Sequence, residues 1–145
     1  MSDFKYFSLK ELCSSDVAAK KRIDNFPSFT VVSHLAELTE KILEPLRLAW
    51  GSSINVTSGY RCDALNRAVG GVSTSAHKNG YAADLQPGNG KIDEFSRFVK
   101  DWLVRNRIKF DQVLTETQGK TKWVHIGLYS STGSQRGETK NLIVK

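Results

Sequence analysis

Few residues in this chain can bind a metal or shuttle a proton at neutral pH, so each one stands out. There are three histidines, His34, His77 and His125. His77 lies in the loop-like stretch "STSAHKNGYAADL", which also holds Asp84. Gly80 permits a tight backbone turn between the two, and Ala82 leaves room beside them. Asp84 falls in an otherwise apolar strand pattern, where an unpaired carboxylate is costly. His125 lies in "WVHIG". Strand alternation puts Trp123, His125 and Gly127 on one face and Val124 and Ile126 on the other. Zinc accepts imidazole nitrogen and carboxylate oxygen, and catalytic zinc sites use three protein ligands with a position left for water. A metal would neutralise Asp84; a salt bridge to Arg61 or Arg67 is the alternative. His34 sits between Val32 and Leu35 in a helical pattern and reads as a helix-surface or half-buried histidine.

The elements that would position these residues follow from periodicity. "FSLKELCSS" predicts a short helix, with Ser8 as N-cap and Glu11 three residues on. After a break at Phe26 to Ser28 comes the strongest helix. Val32, Leu35, Leu38, Ile42, Leu46 and Trp50 recur at three or four, which predicts a buried stripe. Pro45 should kink or divide it, and Gly51 should stop it. Ile54 to Thr57 reads as a strand, "CDALNRAVGG" as a short helix and "GYAADLQP" as a strand. "KIDEFSRFVKDWLVRNRI" is a second amphipathic helix, with Ile92, Phe95, Phe98, Val99 and Leu103 on one side. "FDQVLTE" and "KWVHIGLY" form a hairpin turning at Gln118–Gly119. The tail is polar until Leu142 to Val144. Helices and strands mix without regular βαβ alternation, so the expected class is α+β with a small, mainly antiparallel sheet flanked by helices.

Bulk properties narrow the class further. The chain has 145 residues, 39% hydrophobic and 25% charged, which suits one globular domain able to bury a core. No apolar run approaches the ~20 residues of a membrane span. The N-terminus lacks the basic start and apolar stretch of a signal peptide. Synthesis in the cytosol, with release by another route, is therefore expected. The formal net charge of +6 favours anionic partners. The basic residues are scattered, with "KKR" at Lys20 to Arg22 the one tight cluster, and no nucleic-acid motif stands out. No nucleic-acid partner is expected, and the surface leans towards a monomer. Cys13 and Cys62 form no metal-binding pattern; they read as two free or half-buried thiols, with a disulfide between them as the alternative.

Three motifs together carry a resemblance. "SAHKNGYAAD" resembles the Ser-x-His-x-x-Gly-x-Ala-x-Asp pattern of peptidase family M15, the zinc D-alanyl-D-alanine carboxypeptidases. "SGYRC" is similar to its Ser-Gly-Tyr-Arg motif and "WVH" to its second histidine motif. "LEPLR" and "LNRAVGG" look like the small M15 domains of phages and prophages. The resemblance runs roughly from Phe7 to Arg136. It implies a fold shared with the hedgehog signalling domain and one zinc per chain, held by His77, Asp84 and His125. It also implies cleavage of peptidoglycan stem peptides, either as a D-Ala-D-Ala carboxypeptidase or as an endolysin-type endopeptidase.

The same resemblance suggests roles for other residues. Arg61 would hold the oxyanion or a substrate carboxylate, for which its planar fork is suited. Its alternative is a bridge to a structural acid. Tyr60, Ser75 and Trp123 would contact substrate, with Ser75 otherwise a turn cap. Several M15 branches carry an acid three residues before the second histidine, where this chain has Lys122. Glu116, ending the preceding strand in "FDQVLTE", is the expected general base, ahead of Asp111. It would reach the metal water if the hairpin set it opposite His125. A turn at Gln118–Gly119 would leave it more than ~10 Å away. The competing reading is a non-catalytic zinc module that binds the wall or builds a phage particle.

Overall fold

The computed structural model describes residues 4–145. Two short helices come first, α1 (Leu9–Cys13) and α2 (Asp16–Lys20), capped by Ser8 and Ser15 through their side-chain oxygens. The Ser8 cap is the one expected; α2 was not, because a single turn has too few residues to show a period. Helix α3 (Phe29–Leu38) starts at the Ser28 cap. A turn of π-helix (Thr39–Leu43) then leads into α4 (Glu44–Trp50), which ends at Gly51 in the left-handed region.

Pro45 is accommodated inside a continuous helix by a π turn just before it, which answers the two demands of its chemistry. Proline has no N–H to give to the residue four back, and its ring crowds that carbonyl. A π turn widens the ladder, and the Glu44 N–H reaches back to the Thr39 carbonyl. The Thr39 hydroxyl donates to the Leu35 carbonyl at 2.7 Å, the back-bonding that bends helices. Leu35, Leu38, Ile42 and Leu46 remain fully buried through this irregularity.

The sheet has five strands: β1 (Ile54–Ser58), β2 (Ala82–Pro87), β3 (Gln112–Gln118), β4 (Thr121–Gly127) and β5 (Glu138–Ile143). Their order is β1-β2-β4-β3-β5. The class is α+β, and three of the four pairings are antiparallel. The sheet is thus mainly antiparallel, as expected; the fourth pairing, β5 parallel to β3, makes it mixed. The tail hides this strand from sequence reading. At an edge most of its side chains face water, so polar residues such as Lys140 and Asn141 are tolerated.

Helix α6 (Ile92–Arg105) packs on one face of the sheet. Phe95, Val99 and Leu103 join Ala83, Leu85, Val113, Val124 and Ile126 in the core. The opposite face carries Asp84, Leu114, Glu116 and His125. Between β1 and β2 lie α5 (Asp63–Ala68) and a 3₁₀ turn (Ala76–Asn79). Cys13 and Cys62 are both free and half-buried. Burial pushes the Cys13 thiol up to about 11, which disfavours the thiolate form at neutral pH.

Candidate metal centre and substrate cleft

Strand register brings the first two candidate ligands together. Asp84 of β2 lies directly opposite His125 of β4, so their side chains emerge side by side on the face away from α6. His77 arrives from the 3₁₀ turn just before β2. Ser75 caps that turn by accepting from the His77 N–H at 3.2 Å. Gly80 ends it with φ of 77°, a conformation that L side chains rarely adopt. A Cβ there would also sit 2.9 Å from the Val31 carbonyl oxygen. His34 supports the same turn as a structural residue: it is half-buried, its Nδ1 lies 2.7 Å from the Asn79 carbonyl oxygen, and its ring stacks on Tyr81.

The three side chains converge on one point. His77 Nε2 lies 3.2 Å from Asp84 Oδ1 and 3.2 Å from His125 Nδ1, and His125 Nδ1 lies 3.0 Å from Asp84 Oδ1. Zinc bonds of about 2.0–2.2 Å in a tetrahedron set neighbouring ligand atoms about 3.3 Å apart. The triangle has that size. Among the described residues it is the one group of three or more such side chains close enough to hold a metal.

Tautomer chemistry strengthens the fit. His77 Nδ1 lies 2.7 Å from the Gly59 carbonyl oxygen, and a carbonyl can only accept. The proton therefore sits on Nδ1, and the Nε2 lone pair points at the Asp84 carboxylate. Two lone pairs facing each other in a buried site repel unless a cation lies between them. Burial pushes the His77 ring below its usual pKa, favouring the neutral form. Burial raises the Asp84 carboxyl, but positive charge at the His77 and His125 positions outweighs it and holds Asp84 below the usual carboxylate range; with the His77 ring neutral, a bound cation would have to supply that charge. Neutral imidazoles and an ionised carboxylate are the forms that ligate zinc. The alternative partners for Asp84 are not used: neither Arg61 nor Arg67 forms an ion pair with it, and Arg67 is exposed.

The triangle lines a cleft of about 1000 Å³ that also takes in Tyr60, Arg61, Ser75, Glu116 and Trp123. Arg61 is a half-buried guanidinium whose Nε has no hydrogen-bond partner. Burial pushes its pKa down, with Asp84 and Glu116 partly countering. A buried guanidinium N–H without a partner among the described residues is costly to keep, and an anion in the cleft would relieve that cost. Gly71 makes space for it, since a Cβ there would meet Arg61 Nη1 at 2.9 Å and run into Asn66 Oδ1.

Glu116 does not stand opposite His125. The hairpin turns at Gly119–Lys120, because Gln118 pairs with Thr121. Leu114 therefore faces His125, and Glu116 faces Trp123. Glu116 is the diagonal neighbour of His125 on the same face, at the ~7–8 Å Cβ spacing that a long side chain can span. Burial raises its pKa, with Asp84 adding to the rise and His125, Arg61 and Trp123 opposing it. The Trp123 indole N–H lies beside this carboxylate without completing a hydrogen bond.

The other acid considered, Asp111, also borders the cleft, but it is committed elsewhere. It is buried and accepts two parallel bonds from Arg136, each 2.8 Å. Lys122 projects to the opposite face, where its ammonium pairs with Asp93 of α6 at 2.9 Å.

Two supporting residues received no role from the sequence, Asn25 and the Gly59 of "SGYRC". Asn25 donates to the Cys13 and Tyr60 carbonyls and accepts from the Cys62 N–H, which pins the "SGYRC" loop. Gly59 lies against α1: the adjacent Tyr60 N–H donates to the Leu12 carbonyl at 2.8 Å, and a Cβ on Gly59 would run into that same oxygen. Gly59→Ala is accordingly expected to cost at least ~2–3 kcal/mol, a fall of roughly 5–10 °C in melting temperature for a domain of this size. A melting curve within a degree of wild type would contradict this packing.

The sequence profile of the Peptidase M15 family matches residues 5–127. The chain belongs to the peptidase M15 family. Both histidines, Asp84, Arg61 and Glu116 lie within the matched stretch of this M15 chain, whereas Arg136 and β5 lie beyond it. No curated protein matches the chain at a significant level. Among the described residues, no helix is long and apolar enough to cross a membrane.

Proposed function

We propose that this M15 protein is a zinc-dependent peptidase that hydrolyses peptidoglycan stem peptides, as a carboxypeptidase or an endolysin-type endopeptidase. The observation that carries the reading is the His77–Asp84–His125 triangle, with a neutral lone pair and a carboxylate aimed at one point. His77 Nε2, Asp84 Oδ1 and His125 Nδ1 would hold one zinc ion. When bound, zinc supplies a polarised carbonyl and a water that ionises near neutral pH.

The chain's own groups do the rest. Glu116 takes the proton of the attacking water on its carboxylate and passes it to the leaving amine. The Arg61 guanidinium holds the oxyanion or a substrate carboxylate. The Ser75 hydroxyl, whose oxygen already accepts from the His77 N–H, keeps its proton free to donate to substrate. Tyr60 and Trp123 form apolar walls beside it. The net charge of +6 would favour adsorption to anionic wall polymers after release from the cell.

The test is mass analysis of muropeptides after digestion of purified peptidoglycan with the zinc-loaded protein. New fragments with free amino groups, or loss of terminal D-alanine, are expected, and the masses identify the bond. Wall material unchanged after incubation would refute the catalytic reading and favour a zinc-containing binding module.

A further inference from the structure

Two unusual features of the chain fall within one short segment away from the metal centre. Lys20, Lys21 and Arg22 are the one tight basic cluster in the sequence. All three are exposed, and none pairs with an acid among the described residues. Phe26 and Phe29 are 81% and 87% exposed. Every other aromatic residue of the chain is buried or half-buried.

The local backbone makes this display a built feature. Arg22 takes a left-handed φ of 53° as the chain reverses out of α2, and the Ile23 N–H returns to the Ala18 carbonyl. Asp24 accepts from the Phe26 N–H, and Ser28 caps α3. Pro27 is buried between the two phenylalanines, so the segment is held down at its centre while both rings face outward.

We propose that the loop from Lys20 to Phe29 is an interfacial anchor for an anionic lipid bilayer. Exposed aromatic rings within a few residues of exposed basic side chains match the two halves of such an interface. The rings enter the boundary between headgroups and acyl chains, and the cations meet anionic headgroups. A hydrated anionic polymer would engage the cations equally well but offers the phenyl rings no apolar phase, so the exposed rings favour the bilayer. Helix α2, which leads into the loop, borders the cleft through Asp16 and Val17. The inference is independent of hydrolysis.

The test is co-sedimentation of the full-length protein with vesicles of phosphatidylglycerol and phosphatidylcholine, with vesicles of phosphatidylcholine alone, and with purified wall sacculi. Binding to the phosphatidylglycerol vesicles, weakened by salt, is expected. Phe26→Ser with Phe29→Ser should weaken it about tenfold or more, with an unchanged melting temperature because both rings are exposed. Neutralising Lys20, Lys21 and Arg22 should cost about fivefold per charge at low salt. Absence of vesicle binding, or binding that ignores the phenylalanines, would overturn the proposal. So would binding to sacculi alone that depends on these same residues, which would assign the patch to wall polymer.

Discussion

Zinc added to the metal-free protein is expected to raise its melting temperature by about 5–10 °C, and Asp84→Ala is expected to abolish both that shift and hydrolysis. A ligand present at 100 times its dissociation constant stabilises the native state by about 2.7 kcal/mol, which sets the size of the shift. The carboxylate supplies the one formal negative charge in the ligand triangle. Without it, two neutral imidazoles remain, and the zinc content after gel filtration should fall from about one per chain to below about one-tenth. In metal-free wild type the Asp84 carboxylate also lies 3.0 Å from His125 Nδ1, so the zinc-dependent shift, and not the melting temperature of the metal-free forms, is the readout. A variant that still binds zinc and still melts higher with it would show that Asp84 is not a ligand.

Glu116→Gln is expected to lower kcat by about 10²–10⁴, the range for losing a positioned general base, while zinc content stays near one. The amide keeps the shape of the side chain but cannot accept a proton. The pH profile provides a second readout. Only the carboxylate form is active, so the rate should rise with pH through the Glu116 pKa. Burial places that pKa above the ordinary glutamate value, which moves the acidic limb towards neutrality. In Glu116→Gln this limb should vanish. Hydrolysis that survives the change with its acidic limb intact would assign the proton transfer to another group. Asp111 is a poor substitute because both of its carboxylate oxygens are held by Arg136.

Much of the site was legible because metal ligands come from few residue types and need fixed local geometry. "SAHKNGYAAD" contains two candidate ligands, and Ser75 and Gly80 cap and end the turn between them as their chemistry predicted. The helical stripe through Leu35, Leu38, Ile42, Leu46 and Trp50 was equally clear, since burial imposes its period on the sequence, but at its start Val31 and not the expected Val32 packs on the core. Lys122 looked like a gap in the catalytic set. Its strand position puts it on the α6 face, paired with Asp93, where an acid would not reach the centre.

The hairpin was legible as a hairpin but not in register. Moving the turn from Gln118–Gly119 to Gly119–Lys120 changes which residue lies opposite His125, and a glycine with its polar neighbours permits either. Side-chain packing along the full length of β3 and β4 selects the observed pairing. Val113 and Ile126 are both buried in the same core, and they pair directly.

The sequence by itself determined the chemistry: which residues can ligate, which glycines must bend, and which apolar faces must be buried. These follow from the properties of single side chains and their local spacing. Tertiary structure decided the distances and the partners. It set Asp84 against His125 by strand register, oriented His77 through a carbonyl from Gly59, left Arg61 without a partner and tied Asp111 to Arg136. It also recruited the polar tail as a parallel edge strand. Each of these joins segments far apart in the chain, and contacts of that kind depend on how the whole core packs, which no local pattern of residues encodes.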